Sequence, residues 1–354
     1  MASLMSLGIK MVKKNLQKSV LITGVTGQDG AFLSKFLLDK GYKVFGTLRR
    51  GASPKTDRLK QMQILDKIVF VPLEITEFSN VIQILSDVRP DFIYNLAAQS
   101  FVVDSFRHPI ITNQTNYVGV LNILESIRVL KLDTKLFQPS TSEMYGEQRD
   151  PIINEESNVN PSNPYGLSKY SALQAVKIYR ETYNIRASSA IMFNHESELR
   201  GKEFVTRKIT YQLAQLKLMA GPSLQLGNLS ASRDWGYAPD YVKAISLIMH
   251  ADTSDDFVVA TNTLNSVRRF FTLAAQNIGF EPQFEGEGLK EICYDKKSGK
   301  ILCEVKSDFF RDPDMKGLRG DFSKIQENLG WMPSTSFEEL VRIMAFSDLK
   351  SFEK

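Results

Sequence analysis

Residues 18–27 read KSVLITGVTG, a short apolar and β-branched run that stops at a glycine turn. A run of this length and ending predicts a buried strand. The next stretch, DGAFLSKFLLDKGY, spaces its apolar residues three and four apart and closes on glycine, which predicts an amphipathic helix and its stop. KVFGTLRR returns to a strand pattern, so the first fifty residues contain a βαβ unit. Further strand-like runs are IVFVPLE, DFIYNLA, TKLFQPS and RASSAIMF, with helical stretches such as FSNVIQILSDVRP and TNYVGVLNILESIRVLK between them. This alternation predicts a parallel sheet with helices on both faces. Beyond about residue 193 the rhythm changes to longer, turn-rich loops, and Cys293 and Cys303 flank YDKKSGKIL, which reads as a hairpin.

Composition narrows the class. A chain of 354 residues with 43% hydrophobic and 24% charged positions buries a large core, as one big domain or two coupled ones. Forty-four basic residues face forty acidic ones, for a net charge of +4, and no dense basic tract interleaves with aromatics. Nucleic acid is therefore not the expected partner. Two cysteines and three histidines lack metal-ligand spacing, and a disulfide framework is not expected, so a reduced cytoplasmic setting is the default. Residues 1–17 read as a loose extension, with Met11 an alternative start: the apolar run is too brief for a signal peptide. No stretch has the length of a membrane span, so no membrane partner is expected.

The candidate chemistry begins at GVTGQDG, where Gly24, Gly27 and Gly30 stand three apart between strand and helix. Glycines here let backbone N–H groups approach a pyrophosphate, and the helix start adds partial positive charge. A plain strand–helix turn is the other reading. The second strand ends in Arg49 and Arg50, where an acid would favour NAD. Two guanidinium groups suit the 2′-phosphate of NADP, the alternative being a solvated basic turn. Glu74 follows the third strand and is placed to meet the adenine edge.

Further along, PSTSEMYG gathers Ser140, Thr141, Ser142 and Glu143 at the expected C-terminal end of a strand. NPYGLSKY then sets Pro164 in a first helical turn, with Tyr165 and Lys169 on one face a turn apart. Alone, that pair is as easily a solvated helix face. A free tyrosine, with a pKa of about 10, is a poor base at neutral pH. A lysine ammonium beside it is expected to lower that value, so that Tyr165 takes a proton from a substrate hydroxyl that Thr141 hydrogen-bonds.

Glycine cradle, arginine pair, hydroxyl cluster and Y-x-x-x-K, in this order, resemble the extended short-chain dehydrogenase/reductase superfamily that acts on nucleotide sugars. In such a site Glu143 could remove the proton at C5 of a sugar oxidised at C4, and the resulting acid could help expel the C6 hydroxyl. A simple 4-epimerase needs no such carboxylate, and chemistry alone leaves the two readings level. TSEMYG, FNHESELRGKEFVTRKIT, LGNLSASRDWGYAPDYVKA, YDKKSGKILCEV and GDFSKIQENLGWMP are similar to segments of the GDP-mannose 4,6-dehydratase family, over about Lys18 to Asp348.

That resemblance implies an α/β fold: a Rossmann-type doubly wound domain over residues 18–192, and a smaller α/β substrate domain over 193–354 whose segments can return to the sheet. It implies bound NADP, with Thr141, Glu143, Tyr165 and Lys169 catalytic. Gly24, Thr26, Gly27, Gln28, Asp29, Gly30, Arg49, Arg50, Glu74, Leu96, Ala97, Ala98, Ser100, Lys169, His195 and Arg200 would surround the cofactor. For His195 a buried ring satisfied by backbone groups is the alternative. Ser100, Asn194, Lys208, Arg233 and Arg311 would touch the GDP-sugar. The implied reaction takes GDP-mannose to GDP-4-keto-6-deoxymannose and water by internal hydride transfer. HESELRG, with Glu198, departs from the family pattern, and another GDP-hexose (GDP-N-acetylglucosamine or a GDP-heptose) or an epimerase or reductase reaction stays open. The loop RRGASPKTDRL implies a homotetramer or homodimer.

Overall fold

Val20, Leu21 and Ile22 are buried on both sides, which places the first strand, β1 (Ser19–Thr23), at the centre of a sheet. The structure is a computed structural model describing residues 17–49, 51, 55–148, 152–219, 221–310 and 317–353. After β1 come β2 (Lys43–Leu48), β3 (Val69–Pro72), β4 (Phe92–Asn95) and β5 (Lys135–Thr141), then the strands Ala187–Met192 and Asp256–Val259. Among the described residues these pair in parallel, in the order Asp256–Val259, Ala187–Met192, β5, β4, β1, β2, β3. The strand order reverses between β1 and β4, and it is at the C-terminal ends of the strands at such a reversal that an open α/β sheet forms its ligand crevice.

Alternation within β1 feeds two cores. Val20 and Ile22 pack with Ala31, Leu33 and Leu37 of the helix Gln28–Asp39 and with Val242 and Ile245 of the helix Ala238–His250. Leu21 faces the other way, against Val81 and Leu85 of Phe78–Val88, Ile123 and Ile127 of Gly119–Val129, and Ala172 and Val176 of Pro164–Tyr183. The expected doubly wound sheet is therefore present. The helix expected over TNYVGVLNILESIRVLK has a wider, π-type turn at Gln114–Val118 before its regular part.

A third core lies in the C-terminal half. Ile209 and Leu213 of the helix Val205–Met219 meet Trp235, Phe270, Phe271, Phe337 and Met344 there. The predicted hairpin is present, its strands Ile292–Asp295 and Ile301–Val305 pairing Cys293 with Cys303, both buried and free. Asp256–Val259 returns from this half to the edge of the main sheet, and Arg180 binds Asp256 there at 2.7 Å. Among the described residues no helix is long and apolar enough to cross a membrane. Most of the expected N-terminal extension, Met11 included, lies outside the described residues; Gln17 donates to the Gly41 carbonyl at 2.8 Å.

One buried charge pair holds the C-terminal helices together. Arg207 meets the fully buried Asp348 of the helix Phe337–Phe352 at 2.7 Å, and Thr210 donates to the same carboxylate at 2.6 Å. Removing one partner would leave an uncompensated charge in the core. Arg207→Met is expected to lower the unfolding free energy by about 3–5 kcal/mol in chemical denaturation.

Candidate active site

At the end of β1 the chain makes a turn that excludes side chains. Gly24 has φ +66°, and a Cβ there would stand 2.7 Å from the Leu96 carbonyl carbon; one on Gly30 would stand 2.4 Å from the Gly24 carbonyl oxygen. The turn therefore lies flat against the end of β4, where the Ala97 N–H donates to the Thr23 hydroxyl at 2.9 Å. The helix Gln28–Asp39 starts at Gly27 without a side-chain cap, so its first N–H groups face the crevice in need of an acceptor. Leu96, Ala97, Ala98 and Ser100 follow β4 along the same edge, Ala98 and Ser100 exposed.

An acid in the first turn of such a helix would repel a phosphate, but Asp29 is occupied. It accepts from Nε2 of His195 at 2.8 Å and from Gln28 at 3.0 Å. Burial alone would push its pKa up; the His195 charge and hydrogen bond, Gln28 and the Arg200 charge bring it down to about 2. Burial lowers the His195 pKa, yet Asp29 more than reverses this and holds it above the usual value. The ring also donates from Nδ1 to the Phe193 carbonyl at 2.8 Å and stacks on Tyr241 at 4.8 Å. His195 thus has the backbone partner of the bland reading and a carboxylate partner beside it. Gln28 donates to the His195 carbonyl at 3.1 Å and accepts from Ser197 at 2.7 Å, joining cradle to strand Asn194–Glu196. Arg200 lies 3.7 Å over the Phe204 ring and 3.2 Å from Glu196.

The hydroxyl cluster lies where the pattern placed it. β5 ends at Thr141, whose oxygen accepts from the Glu143 N–H at 3.3 Å and starts a short turn, Ser142–Met144. Tyr165 is the second residue of the helix Pro164–Tyr183, with Thr141 at its phenol oxygen and Glu143 within electrostatic range. Lys169, one turn on, is 3% exposed. The expectation of a tyrosine lowered by its lysine is not met. Burial is the largest influence on Tyr165 and, with Glu143 and Asp29, pushes it up to about 12 against Thr141 and Arg200. Burial likewise brings Lys169 down to about 8.

The remaining expected residues fall into separate groups. Arg49 is exposed just past β2, and Glu74 past β3 accepts from the Thr76 hydroxyl at 2.9 Å. Asn194 pairs with Trp235 of the strand Ser232–Tyr237, which also carries Arg233. Lys208 donates to the Gln225 carbonyl at 2.7 Å and lies 4.0 Å over the Phe309 ring, tied to the C-terminal half rather than to the tyrosine. Arg50 and Arg311 lie outside the described residues. Three residues escaped the sequence reading. Arg58 donates to the carbonyls of Thr26 and Leu199, Asn116 donates to the Ser168 hydroxyl at 3.0 Å, and Asn163 donates to Glu143 at 3.0 Å. Only Asn163 carried a local signal, as a cap residue immediately before Pro164.

A family profile described as GDP-mannose 4,6 dehydratase matches residues 21–344. The chain belongs to this family. The GDP-mannose 4,6-dehydratase of Vibrio cholerae is 41% identical over 352 residues, 95% of each chain. Among solved structures, dTDP-glucose 4,6-dehydratase of Bacillus anthracis in complex with NAD superposes with a TM-score of 0.78 at 21% identity, covering 95% of this chain and 98% of that one. RMD from Pseudomonas aeruginosa, complexed with NADPH, gives 0.73 at 20%, covering 94% and 100%. These two likenesses carry the fold.

Two outcomes follow for this member of the GDP-mannose 4,6-dehydratase family. In Asp29→Asn, burial and Arg200 act on His195 without the opposing carboxylate. Its ring is expected to titrate below the ordinary value of about 6.5, read by NMR. Lys169 has a folded pKa of about 8, against about 10.4 for an unfolded lysine. Between these values the unfolded chain binds the extra proton, so this group makes stability rise with pH. The slope reaches at most about 1.4 kcal/mol per pH unit, and Lys169→Met is expected to lose it in denaturation curves taken from pH 8 to 10.

Proposed function

We propose that this protein is a GDP-mannose 4,6-dehydratase, a hydro-lyase that removes water from GDP-mannose with a tightly held nicotinamide cofactor. The observation that carries this reading is the position of Glu143 two residues beyond Thr141 and within electrostatic range of the Tyr165 phenol. A hydroxyl, a phenol and a carboxylate then border one substrate position, which is what oxidation at one carbon and proton removal at the next require.

The residues present fit the cofactor. The cradle at Gly24 and Gly30 has no room for side chains, and the adjacent helix start has no side-chain cap. Gly24, Thr26, Gly27, Gln28 and Gly30 would hold the pyrophosphate, with Asp29, His195 and Arg200 as a charge-balanced support. We assign NADP in preference to NAD because Arg49, with Arg50 after it, would meet a 2′-phosphate, and Glu74 the adenine edge. Leu96, Ala97, Ala98 and Ser100 would line the cofactor along β4. When bound, the nicotinamide ring supplies a hydride acceptor at C4 of the sugar and returns the hydride at C6.

In this reading Thr141 orients the C4 hydroxyl, and Tyr165 Oη takes its proton. Lys169, one helical turn away and still largely protonated at neutral pH with a pKa of about 8, would favour the phenolate against the burial that holds Tyr165 up at about 12. The C4 ketone acidifies the C5 proton, which Glu143 removes. Glu143 then gives that proton to the C6 hydroxyl, which leaves as water. The proton held on Tyr165 passes to C5, so both bases end as they began. Ser100, Asn194, Lys208, Arg233 and Arg311 are assigned to the GDP-sugar, the cations to its diphosphate.

We assign residues 18–192 to the cofactor and 193–354 mainly to the sugar nucleotide, Asp256–Val259 excepted. Exposed Phe106, Ile110 and Ile111, with exposed Leu167 nearby, support a homodimer or homotetramer. Two free, buried cysteines accord with the cytoplasm.

The test is purified protein with GDP-mannose and catalytic NADP. The product is expected to be lighter by one water, with no net use of NADPH. Glu143→Gln should still oxidise C4, while elimination falls by about 10²–10⁴-fold. Steady consumption of one NADPH per product, or no loss of water, would overturn the reading.

A further inference from the structure

Asn163 joins the two halves of the reacting centre. Its Oδ1 accepts from the Gly166 N–H at 2.7 Å and so caps the helix that carries Tyr165 and Lys169. Its Nδ2 donates to Oε2 of Glu143 at 3.0 Å. The residue is 8% exposed, so water does not compete freely for either end.

A carboxamide has one accepting and one donating end, and here both are committed. Pro164 has no N–H to offer, and the cap is made by the N–H of Gly166 at the third helical position. With the carbonyl end held by the cap, the NH2 end must face the carboxylate. The reversed amide would set a carbonyl oxygen against Glu143 and an NH2 against an N–H. Helix initiation therefore dictates which group Glu143 meets. Gly166 adds a second join: a Cβ there would stand 2.5 Å from the Glu143 carbonyl oxygen. Backbone and side chain of Glu143 are both keyed to the first turn of the tyrosine's helix.

We propose that Asn163 is the positioning residue for Glu143, holding Oε2 so that Oε1 is presented to the proton at C5 of the substrate. This rests on the dehydratase reading. A glutamate carboxylate turns about three side-chain bonds, and a base left to wander meets its proton in the wrong geometry. Partners that fix metal ligands from the outer sphere are worth about 10–100-fold, and the same scale is expected for a partner that fixes a base. The first step, at C4, belongs to Tyr165 and does not use this carboxylate, so loss of the amide donor separates the two steps.

Serine and aspartate cap helices about as well as asparagine. Asn163→Ser and Asn163→Asp therefore keep the helix start; the serine replaces the amide donor by a single O–H on a shorter side chain, and the aspartate removes the donor and adds repulsion. In single turnovers with GDP-mannose, C4 oxidation is read from the absorbance of reduced nicotinamide. Elimination is read from solvent deuterium at C5 and loss of water. Elimination in Asn163→Ser should fall about 10–100-fold, at least ten times more than oxidation, with reduced cofactor accumulating; Asn163→Asp should fall further. Equal loss in both steps would show a cap and nothing more, and no loss in either would also overturn the proposal. A measurement independent of turnover accompanies this. The Asn163 side-chain amide should exchange slowly in NMR spectra of the wild-type protein and shift in Glu143→Ala. An amide signal indifferent to Glu143 sinks the proposal whatever the enzyme does. If the wild-type protein loses no water from GDP-mannose, the dehydratase reading fails, and the amide signal still decides whether Asn163 holds Glu143.

Discussion

The close approach of one helix to one strand end organises the site. The helix Pro164–Tyr183 begins against the turn Ser142–Met144, near enough that residue 166 has no room for a side chain beside the Glu143 carbonyl. Tyr165, Thr141 and Glu143 come from separate elements, yet their spacing follows from that contact. The contact stands in turn on β5, which lies between β4 and Ala187–Met192 and cannot shift without moving the sheet. A site built on paired strands and a capped helix holds its geometry better than one built on loops.

The charges show a second kind of order. Tyr165 is pushed up and Lys169 down, so burial favours the neutral form of both. Asp29 and His195 are also enclosed, yet each keeps its charge because the other supplies the opposite one. The protein therefore keeps one ion pair under the cradle, where a phosphate would tolerate no lone carboxylate. It leaves the tyrosine and lysine poised for the proton transfer proposed for them.

Much of this was readable in the chain. The strands, the glycine turn and the hydroxyl cluster after β5 are local patterns, and local patterns survive folding. Pro164 marked the helix start for the same reason. The direction of the Tyr165 shift was misread because the sequence shows a lysine four residues away but not how deeply both are enclosed. The Asp29–His195 pair spans 166 positions and exists only once the helix Gln28–Asp39 and the strand Asn194–Glu196 meet. Arg58 was one base among many until its guanidinium met the carbonyls of Thr26 and Leu199. Asn163 was visible as a cap, whereas its second bond depends on a tertiary neighbour.

The strand Asp256–Val259 also bears on how the chain is made. It pairs with Ala187–Met192 only after more than sixty intervening residues have been synthesised, and Arg180 waits for Asp256, 76 positions on. A nascent chain that has emerged as far as residue 250 therefore has six of the seven described strands of its main sheet but exposes an unpaired edge of buried strand. Such an edge invites pairing with other chains. The return crossing makes the two halves one folding problem, and premature termination in the C-terminal half would threaten the N-terminal half as well.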